Sequence, residues 1–320
     1  MTLVLSCGEP AGIGPEVAAR AFAALAGEWP LALIGDPRHL PQGTRWQAIE
    51  APEEAPAVAP GILPVIARDF GPPATPGQPV AAHAPHVVAA IREGAELCMA
   101  GRAAALVTAP IHKKALADGA GFAFPGHTEY LARLAGDVPV VMMLAGEGLR
   151  VVPVTIHIPL REVPAALTPG LLRQTIAITA AALARDFGLA RPRIAVAGLN
   201  PHAGEGGRMG DEEARLIGPV LDTLRAEGLD IAGPLPADTM FHPAARARYD
   251  VAICMYHDQA LIPIKTVDFA GGVNVTLGLP FVRSSPDHGT AFDIAGKGVA
   301  DPASMIAAIR MAAGMARRRA

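Results

Sequence analysis

Three histidines each close an apolar run of the chain. His157 follows Val151-Val152-Pro153-Val154-Thr155-Ile156, His202 follows the stretch from Ile194 to Pro201, and His257 follows Val251-Ala252-Ile253-Cys254-Met255-Tyr256. Runs of this kind read as buried strands, and ligands of open α/β sheets sit just beyond the carboxyl ends of their strands. Three imidazoles delivered to such ends match the ligand count of a catalytic metal site that keeps one position open for substrate. A single histidine after a strand is more often a hydrogen-bonded core residue; it is the repetition of one placement that favours a metal. Asp258, beside His257, is placed either to orient that ring or to ligate an ion itself.

Other stretches carry polar chemistry between apolar runs. Asn200-Pro201-His202-Ala203-Gly204-Glu205-Gly206-Gly207 gathers an Asn, a His, a Glu and three glycines, and the glycines permit positive φ and close backbone approach to a ligand. Gly126-His127-Thr128-Glu129 precedes a helix, with Thr128 a candidate N-cap; alternatively His127 and Thr128 hold a phosphate or carboxylate. Lys265, Asn274 and Arg283 flank or occupy the run Val273 to Leu277. A Lys and an Arg near a cleft are natural phosphate partners, although either cation alone is ordinarily solvated. The loop from Gly8 to Gly14 offers backbone N–H groups to an anion at a helix start, or is simply a tight turn. It is not a dinucleotide fingerprint, because Gly12-Ile13-Gly14 runs into Pro15-Glu16 and the third glycine is missing. Asp287-His288-Gly289-Thr290 is a capping turn or a cofactor contact, and Pro110-Ile111-His112-Lys113-Lys114 is equally open. Pattern alone leads to a metal-dependent α/β enzyme for a small anionic substrate.

The elements that must position these residues alternate between strand and helix. Strands are expected at Leu3 to Cys7, Leu31 to Ile34, Ile62 to Ile66, Ala103 to Thr108, Val138 to Leu144, Leu149 to Ile156, Ile194 to Gly198, Val251 to Tyr256 and Val273 to Leu277. Helices are expected at Pro15 to Leu25, His86 to Met99, Thr168 to Phe187 with Thr168 as N-cap, Asp211 to Glu227, and Met305 to Arg317. Pro52 to Pro60 and Gly71 to Pro79 read as surface loops. The alternation argues for α/β layers and a largely parallel sheet, with one antiparallel hairpin around Gly146. The 320 residues are 51% hydrophobic and 18% charged, which supplies a sizeable core. The net charge of −3, with no basic run beyond Arg317-Arg318-Arg319, speaks against nucleic acid as a partner. Three scattered cysteines, no signal peptide and no apolar run of membrane-spanning length lead to the expectation of a cytoplasmic enzyme without a membrane anchor.

The longer motifs are specific. Gly8-Glu9-Pro10-Ala11-Gly12-Ile13-Gly14-Pro15, Thr108-Ala109-Pro110-Ile111-His112-Lys113, Phe124-Pro125-Gly126-His127-Thr128-Glu129, Leu199-Asn200-Pro201-His202-Ala203-Gly204-Glu205-Gly206-Gly207, Pro234-Leu235-Pro236-Ala237-Asp238-Thr239, Tyr256-His257-Asp258-Gln259 and Asn274-Val275-Thr276-Leu277-Gly278-Leu279-Pro280 resemble the PdxA family of 4-hydroxythreonine-4-phosphate dehydrogenases, in that family's order from residue 3 to near the C-terminus. The resemblance implies a fold like isocitrate and isopropylmalate dehydrogenases: two α/β/α domains with a cleft between them, one formed by residues 1–130 plus 280–320, the other by 131–279 and carrying the metal histidines. It implies a homodimer with active sites at the subunit interface, and NAD or NADP bound without the usual fingerprint. It implies one divalent metal, such as zinc, magnesium or cobalt, on His157, His202 and His257, one of the three coming from the partner subunit. Substrate binding falls on His127, Thr128, Lys265, Asn274 and Arg283; no general base is assigned, and nothing is transferred to residues 51–80. The implied reaction oxidises the C3 hydroxyl of 4-phosphooxy-L-threonine to 2-amino-3-oxo-4-phosphooxybutanoate, which decarboxylates to 3-amino-2-oxopropyl phosphate on the route to pyridoxal 5'-phosphate. The alternatives are a related dehydrogenase of a phosphorylated sugar acid or an aromatic cis-diol, and a metal-dependent hydrolase or aldolase.

Overall fold

The structure, a computed structural model, describes residues 1–25 and 27–319. The chain divides into two compact units, one of residues 1–139 with 279–318 and one of residues 140–278. In the first unit the chain runs β1 (Leu3–Ser6), α1 (Gly14–Leu25), β2 (Leu31–Gly35), β3 (Trp46–Ile49), β4 (Leu63–Ala67), α2 (Ala84–Met99), β5 (Ala105–Thr108), α3 (Lys113–Ala120) and α4 (His127–Leu134). The second unit contains β6 (Val141–Gly146), β7 (Leu149–Pro153), α5 (Val163–Ala166), α6 (Pro169–Phe187), β8 (Arg193–Ala197), α7 (Gly218–Ala226), β9 (Asp230–Leu235), α8 (Pro243–Arg246), β10 (Val251–Cys254), α9 (His257–Val267) and β11 (Val273–Leu277). β12 (Arg283–Pro286) and α10 (Ala303–Arg319) return to the first unit.

The first unit's strands lie in the order β3-β4-β2-β1-β5-β12, and every pairing among them is parallel. A parallel strand covered on both faces must be apolar along its whole length. β1, β2 and β5 are accordingly buried at every position. In the second unit the order is β11-β6-β7-β10-β8-β9. Here β11–β6 and β6–β7 are antiparallel, while β7–β10, β10–β8 and β8–β9 are parallel. Leu144, Val151, Ala195, Ala252, Cys254, Leu261 and Ile264 form part of one packed core there.

The element types follow from local chemistry. Thr168 caps α6 by accepting from the Leu171 N–H at 3.2 Å, with Pro169 at the first helical position and Gly188 closing the helix in the left-handed region at φ 71°. Several sequence expectations need correcting. Thr128 is not an N-cap: Gly126 holds that place and His127 is the first residue of α4. Pro52–Ala57 forms a short 3-10 helix with Pro52 and Ala55 buried, where a surface loop was expected. The expected helix from Asp211 begins instead as a π turn over Glu213–Ile217, and regular α geometry starts at Gly218. β3, β9 and β12 were not anticipated: Trp46, Gln47 and Ala48 are exposed on an edge strand, β9 contains Gly233-Pro234, and β12 reads Arg-Ser-Ser-Pro. None carries the continuous apolar run that marks a central strand.

The loop from Gly8 to Gly14 is a tight turn against its own chain. A Cβ on Gly8 would lie 2.3 Å from the Pro110 carbonyl oxygen, one on Gly12 2.8 Å from the Thr290 carbonyl oxygen, and one on Gly14 2.5 Å from the Cys7 carbonyl oxygen. Gly8 also has φ +69°, a conformation that costs an L-residue about 1–2 kcal/mol before any clash. Gly8→Ala is therefore expected to lower the unfolding free energy by more than about 2 kcal/mol in urea denaturation. A loss below about 0.5 kcal/mol would show that the turn relaxes freely.

Candidate active site

In the second unit, β10 lies between β7 and β8, and all three run parallel. His157, His202 and His257 therefore all follow the carboxyl ends of neighbouring strands. The pairing of β7 and β10 continues past their ends: Val154 N–H donates to the Cys254 carbonyl at 2.8 Å, Thr155 N–H to the Met255 carbonyl at 3.2 Å, and Thr155 Oγ1 to the same carbonyl at 2.8 Å. This stitching brings the His157 and His257 rings to a centroid separation of 5.6 Å, with planes at 45°. Two imidazoles sharing an ion at nitrogen–metal distances of about 2.1 Å hold their centroids roughly 5–6 Å apart, so the pair fits two positions of one coordination sphere. His257 opens α9, and its Nδ1 is hydrogen-bonded to Asp258 Oδ1 at 2.7 Å. That contact fixes the ring and leaves Nε2 as the nitrogen available to an ion.

His202 does not join the pair. Among the described residues, no group of three or more His, Cys, Asp or Glu is arranged to hold a metal, and His202 is exposed. It stands on a loop of unusual backbone. His202, Ala203, Gly204, Glu205 and Gly206 all have left-handed backbone angles, with φ between 41° and 77°. His157, too, sits at φ 50°. Each non-glycine residue so placed costs about 1–2 kcal/mol, and strain of this kind persists only where the surroundings impose it. Gln259, 9% exposed, accepts from the Met255 N–H at 2.6 Å and donates to the Gly198 carbonyl at 2.8 Å. It thereby ties the end of β10 to the end of β8. Lys265, on the same helix as His257, places its ammonium 5.4 Å from the centroid of the Phe269 ring. Asn274 lies on β11 opposite Leu144, and its Oδ1 is buried without a hydrogen-bond partner.

The first unit holds His127, Thr128 and Arg283. Arg283 opens β12, alongside Leu106 of β5, and is only 2% exposed. Its guanidinium donates to Thr108 Oγ1 at 2.6 Å. Burial pushes it down from 12.5 to about 9, partly offset by Glu129, so it is still a cation at neutral pH and one that an incoming anion would relieve. His127 is held well below its ordinary value by burial, then by the positive charges of Arg283 and Lys113. It is neutral at pH 7, and its Nε2 is buried without a partner. Thr128, half-buried, is the next residue of α4. A buried cation, a neutral imidazole with an open nitrogen and a helix start form a pocket chemically suited to a phosphate or carboxylate. Thr108 and Lys113 belong to this pocket, although the sequence singled out neither for it. Both lie in the Thr108–Lys113 motif, whose role the sequence left open. In the segment Asp287 to Thr290, His288 Nε2 is likewise buried without a partner.

A buried cation bonded to the residue that closes β5, and in a separate unit an imidazole pair beyond parallel strand ends, are the equipment of an α/β enzyme that handles a small anion. The family described as "Pyridoxal phosphate biosynthetic protein PdxA" matches residues 28–312. The chain belongs to that family. It is 65% identical over 321 residues, 99% of this chain and 98% of the other, to a Paracoccus denitrificans protein described as 4-hydroxythreonine-4-phosphate dehydrogenase. The crystal structure of 4-hydroxythreonine-4-phosphate dehydrogenase from Klebsiella pneumoniae is 40% identical, with a TM-score of 0.90 over 98% of this chain and 99% of that one. A terephthalate 1,2-cis-dihydrodiol dehydrogenase from Burkholderia xenovorans is 30% identical, with a TM-score of 0.68 over 98% of both chains. The chain is thus a dehydrogenase by family and relatives.

The depressed His127 yields a sign-defined prediction. Below pH 6.5 an unfolded His127 binds a proton that the folded one refuses, so this group's contribution to stability is lost as pH falls from 6.5 towards its depressed folded value. The expected slope is at most about 1.4 kcal/mol per pH unit. His127→Gln should flatten that acid limb in denaturation curves taken between pH 6.5 and 5; an unchanged limb would place the titration elsewhere.

Proposed function

We propose that this protein oxidises the C3 hydroxyl of 4-phosphooxy-L-threonine with NAD or NADP, giving 2-amino-3-oxo-4-phosphooxybutanoate, which loses CO2 to form 3-amino-2-oxopropyl phosphate in pyridoxal 5'-phosphate synthesis. The observation that carries the reading is the 65% identity over 99% of the chain to a relative described as the dehydrogenase of this substrate. The buried pocket of Arg283, Thr108 and His127 supports it chemically. Arg283 neutralises a substrate oxyanion, while neutral His127 and the Thr128 hydroxyl orient it by hydrogen bonds. Lys265 and Asn274 serve the substrate's remaining polar groups, Lys265 as a cation and Asn274 through its buried carboxamide oxygen, which accepts from an N–H or O–H. His288, with its buried unpartnered nitrogen, is the residue we assign to cofactor contact. Hydride leaves C3 for the nicotinamide ring and the hydroxyl proton leaves to a base. The resulting carbonyl, β to the carboxylate, then accepts the electron pair released with CO2.

His157 and His257 would hold a divalent ion such as zinc, cobalt or magnesium, which supplies Lewis-acid polarisation of the alcohol. We assign the third ligand to His202 of a second copy of the chain. Two observations support a homodimer built here. His157 and His257 pair within one chain while His202 does not. Each histidine segment also carries exposed large apolar side chains: Ile158 at 37% and Leu160 at 68% beside His157, Met209 at 43% in the His202 loop, and Ile262 at 64% on the helix that His257 opens. Exposed apolar side chains gathered around polar functional groups are the mark of a surface made to be covered. Among the described residues, no helix is long and apolar enough to cross a membrane.

NADH or NADPH formation followed at its absorbance band, with substrate and a divalent metal, tests the reaction. Turnover of threonate 4-phosphate or of an aromatic cis-diol, without turnover of 4-phosphooxy-L-threonine, would overturn the substrate. Subunit mixing tests the shared site. His157→Ala and His202→Ala chains, each inactive alone, should regain about one quarter of the wild-type activity when dissociated and reassociated together, because half of the dimers are mixed and one of their two sites is intact. His157→Ala mixed with His257→Ala should regain none. No recovery in the first mixture would overturn the assignment of His202 to the second copy.

A further inference from the structure

The left-handed turn that carries His202 has a specific support that the sequence motif does not reveal. Asn200 N–H donates to Glu213 Oε1 at 2.8 Å. The Asn200 carboxamide donates both to Glu213 Oε2 at 3.1 Å and to Glu212 Oε2 at 2.7 Å. Glu213 is 6% exposed, so its carboxylate is committed to the chain rather than to solvent. It opens the π turn Glu213–Ile217, a widened turn of a type often found at functional sites.

Three glycines close around this pair. A Cβ on Gly204 would lie 2.6 Å from Glu213 Oε2, one on Gly198 2.9 Å from Glu213 Oε1, and one on Gly210 2.3 Å from Asn200 Nδ2. The glycines of the Asn200–Gly207 motif would be expected to admit a ligand. Gly204, together with Gly198 and Gly210 beyond the motif's ends, instead admits the chain's own carboxylate and carboxamide. Two acidic side chains facing one carboxamide also fix its orientation, with the NH2 towards the carboxylates.

We infer that Glu213, acting through Asn200, is the positioning residue for His202: it holds the strained turn in the one conformation that presents the imidazole for metal binding. The inference rests on the proposed role of His202 as a metal ligand. The turn's own backbone bonds, Ala203 N–H to the Asn200 carbonyl and Met209 N–H to the Gly204 carbonyl, both at 3.1 Å, are local; the Glu213 carboxylate is what ties Asn200 to the next helix, and without it the turn relaxes. Outer supports of metal ligands are commonly worth 10- to 100-fold in metal affinity.

The test uses the full-length protein and Co2+ as the probe. Glu213→Ala removes both acceptor oxygens; Glu213→Gln keeps an acceptor for the Asn200 N–H but turns an NH2 towards the Asn200 carboxamide. Co2+ affinity, measured by chelator competition, should fall about 10- to 100-fold in Glu213→Ala and by less in Glu213→Gln. Amide exchange over residues 200–210 should accelerate in the metal-free variants, with the sheet strands unchanged. If Glu213→Ala does not fold, Glu213→Gln carries both readouts. Unchanged exchange over 200–210, or faster exchange with undiminished Co2+ affinity, overturns the inference. His202→Ala is the reference. If it binds Co2+ as tightly as the parent, the metal assignment of His202 itself fails. If it loses Co2+ while both Glu213 variants keep it, the assignment stands and the positioning role is overturned.

Discussion

The parallel pairing of β10 with β7 on one side and β8 on the other is the constraint on which the second unit's chemistry depends. Register in a parallel ladder is set by which apolar residues face which, and here Ala252, Ile253 and Cys254 align with Val151, Val152 and Pro153. That alignment, prolonged by the Thr155 and Met255 contacts, decides the distance between His157 and His257. A one-residue slip would turn the side chains of either strand to the opposite face and separate the rings. The polar pair is thus positioned by apolar packing, with Asp258 and Gln259 making the final adjustment.

The first unit solves a different problem with similar means. Burying Arg283 on a parallel strand is costly for a cation, and its hydrogen bond to Thr108 offsets part of that cost. Nearby, His127 answers by remaining neutral, and the Lys113 charge reinforces that. A buried cation and a neutral imidazole are chemistry of a kind that the proposed substrate oxyanion would suit. The Gly8–Gly14 turn, by contrast, is filled by its own backbone.

Much of this was legible in the sequence, and the limits have physical causes. The central strands declared themselves because parallel strands are apolar throughout, and β11 matched its expected bounds at Val273–Leu277. α6 announced itself through Thr168, Pro169 and Gly188. β3 and β12 escaped because an edge strand and a strand opening on a buried arginine lack that apolar signature. The histidines were visible as a repeated placement, and the motifs around them identified the family. That His202 does not group with the other two in one chain was not visible, and neither were the five consecutive left-handed residues of its loop, two of them glycine. Glu213 was hidden for another reason: Asp211-Glu212-Glu213 reads as the acidic first turn of an ordinary helix, and only the π turn reveals that Glu213 faces back to Asn200.

The proposed dimeric site shares one metal ion between the His157–His257 pair of one chain and His202 of a second. A crystal structure of the protein grown with Co2+, read by the anomalous signal of the ion, addresses it most directly. The expected ion lies about 2.1 Å from His257 Nε2 and from a nitrogen of His157 in one chain, and from a His202 nitrogen supplied by another copy. An ion held by all three histidines of a single chain, or one bound away from the His157–His257 pair, would contradict it.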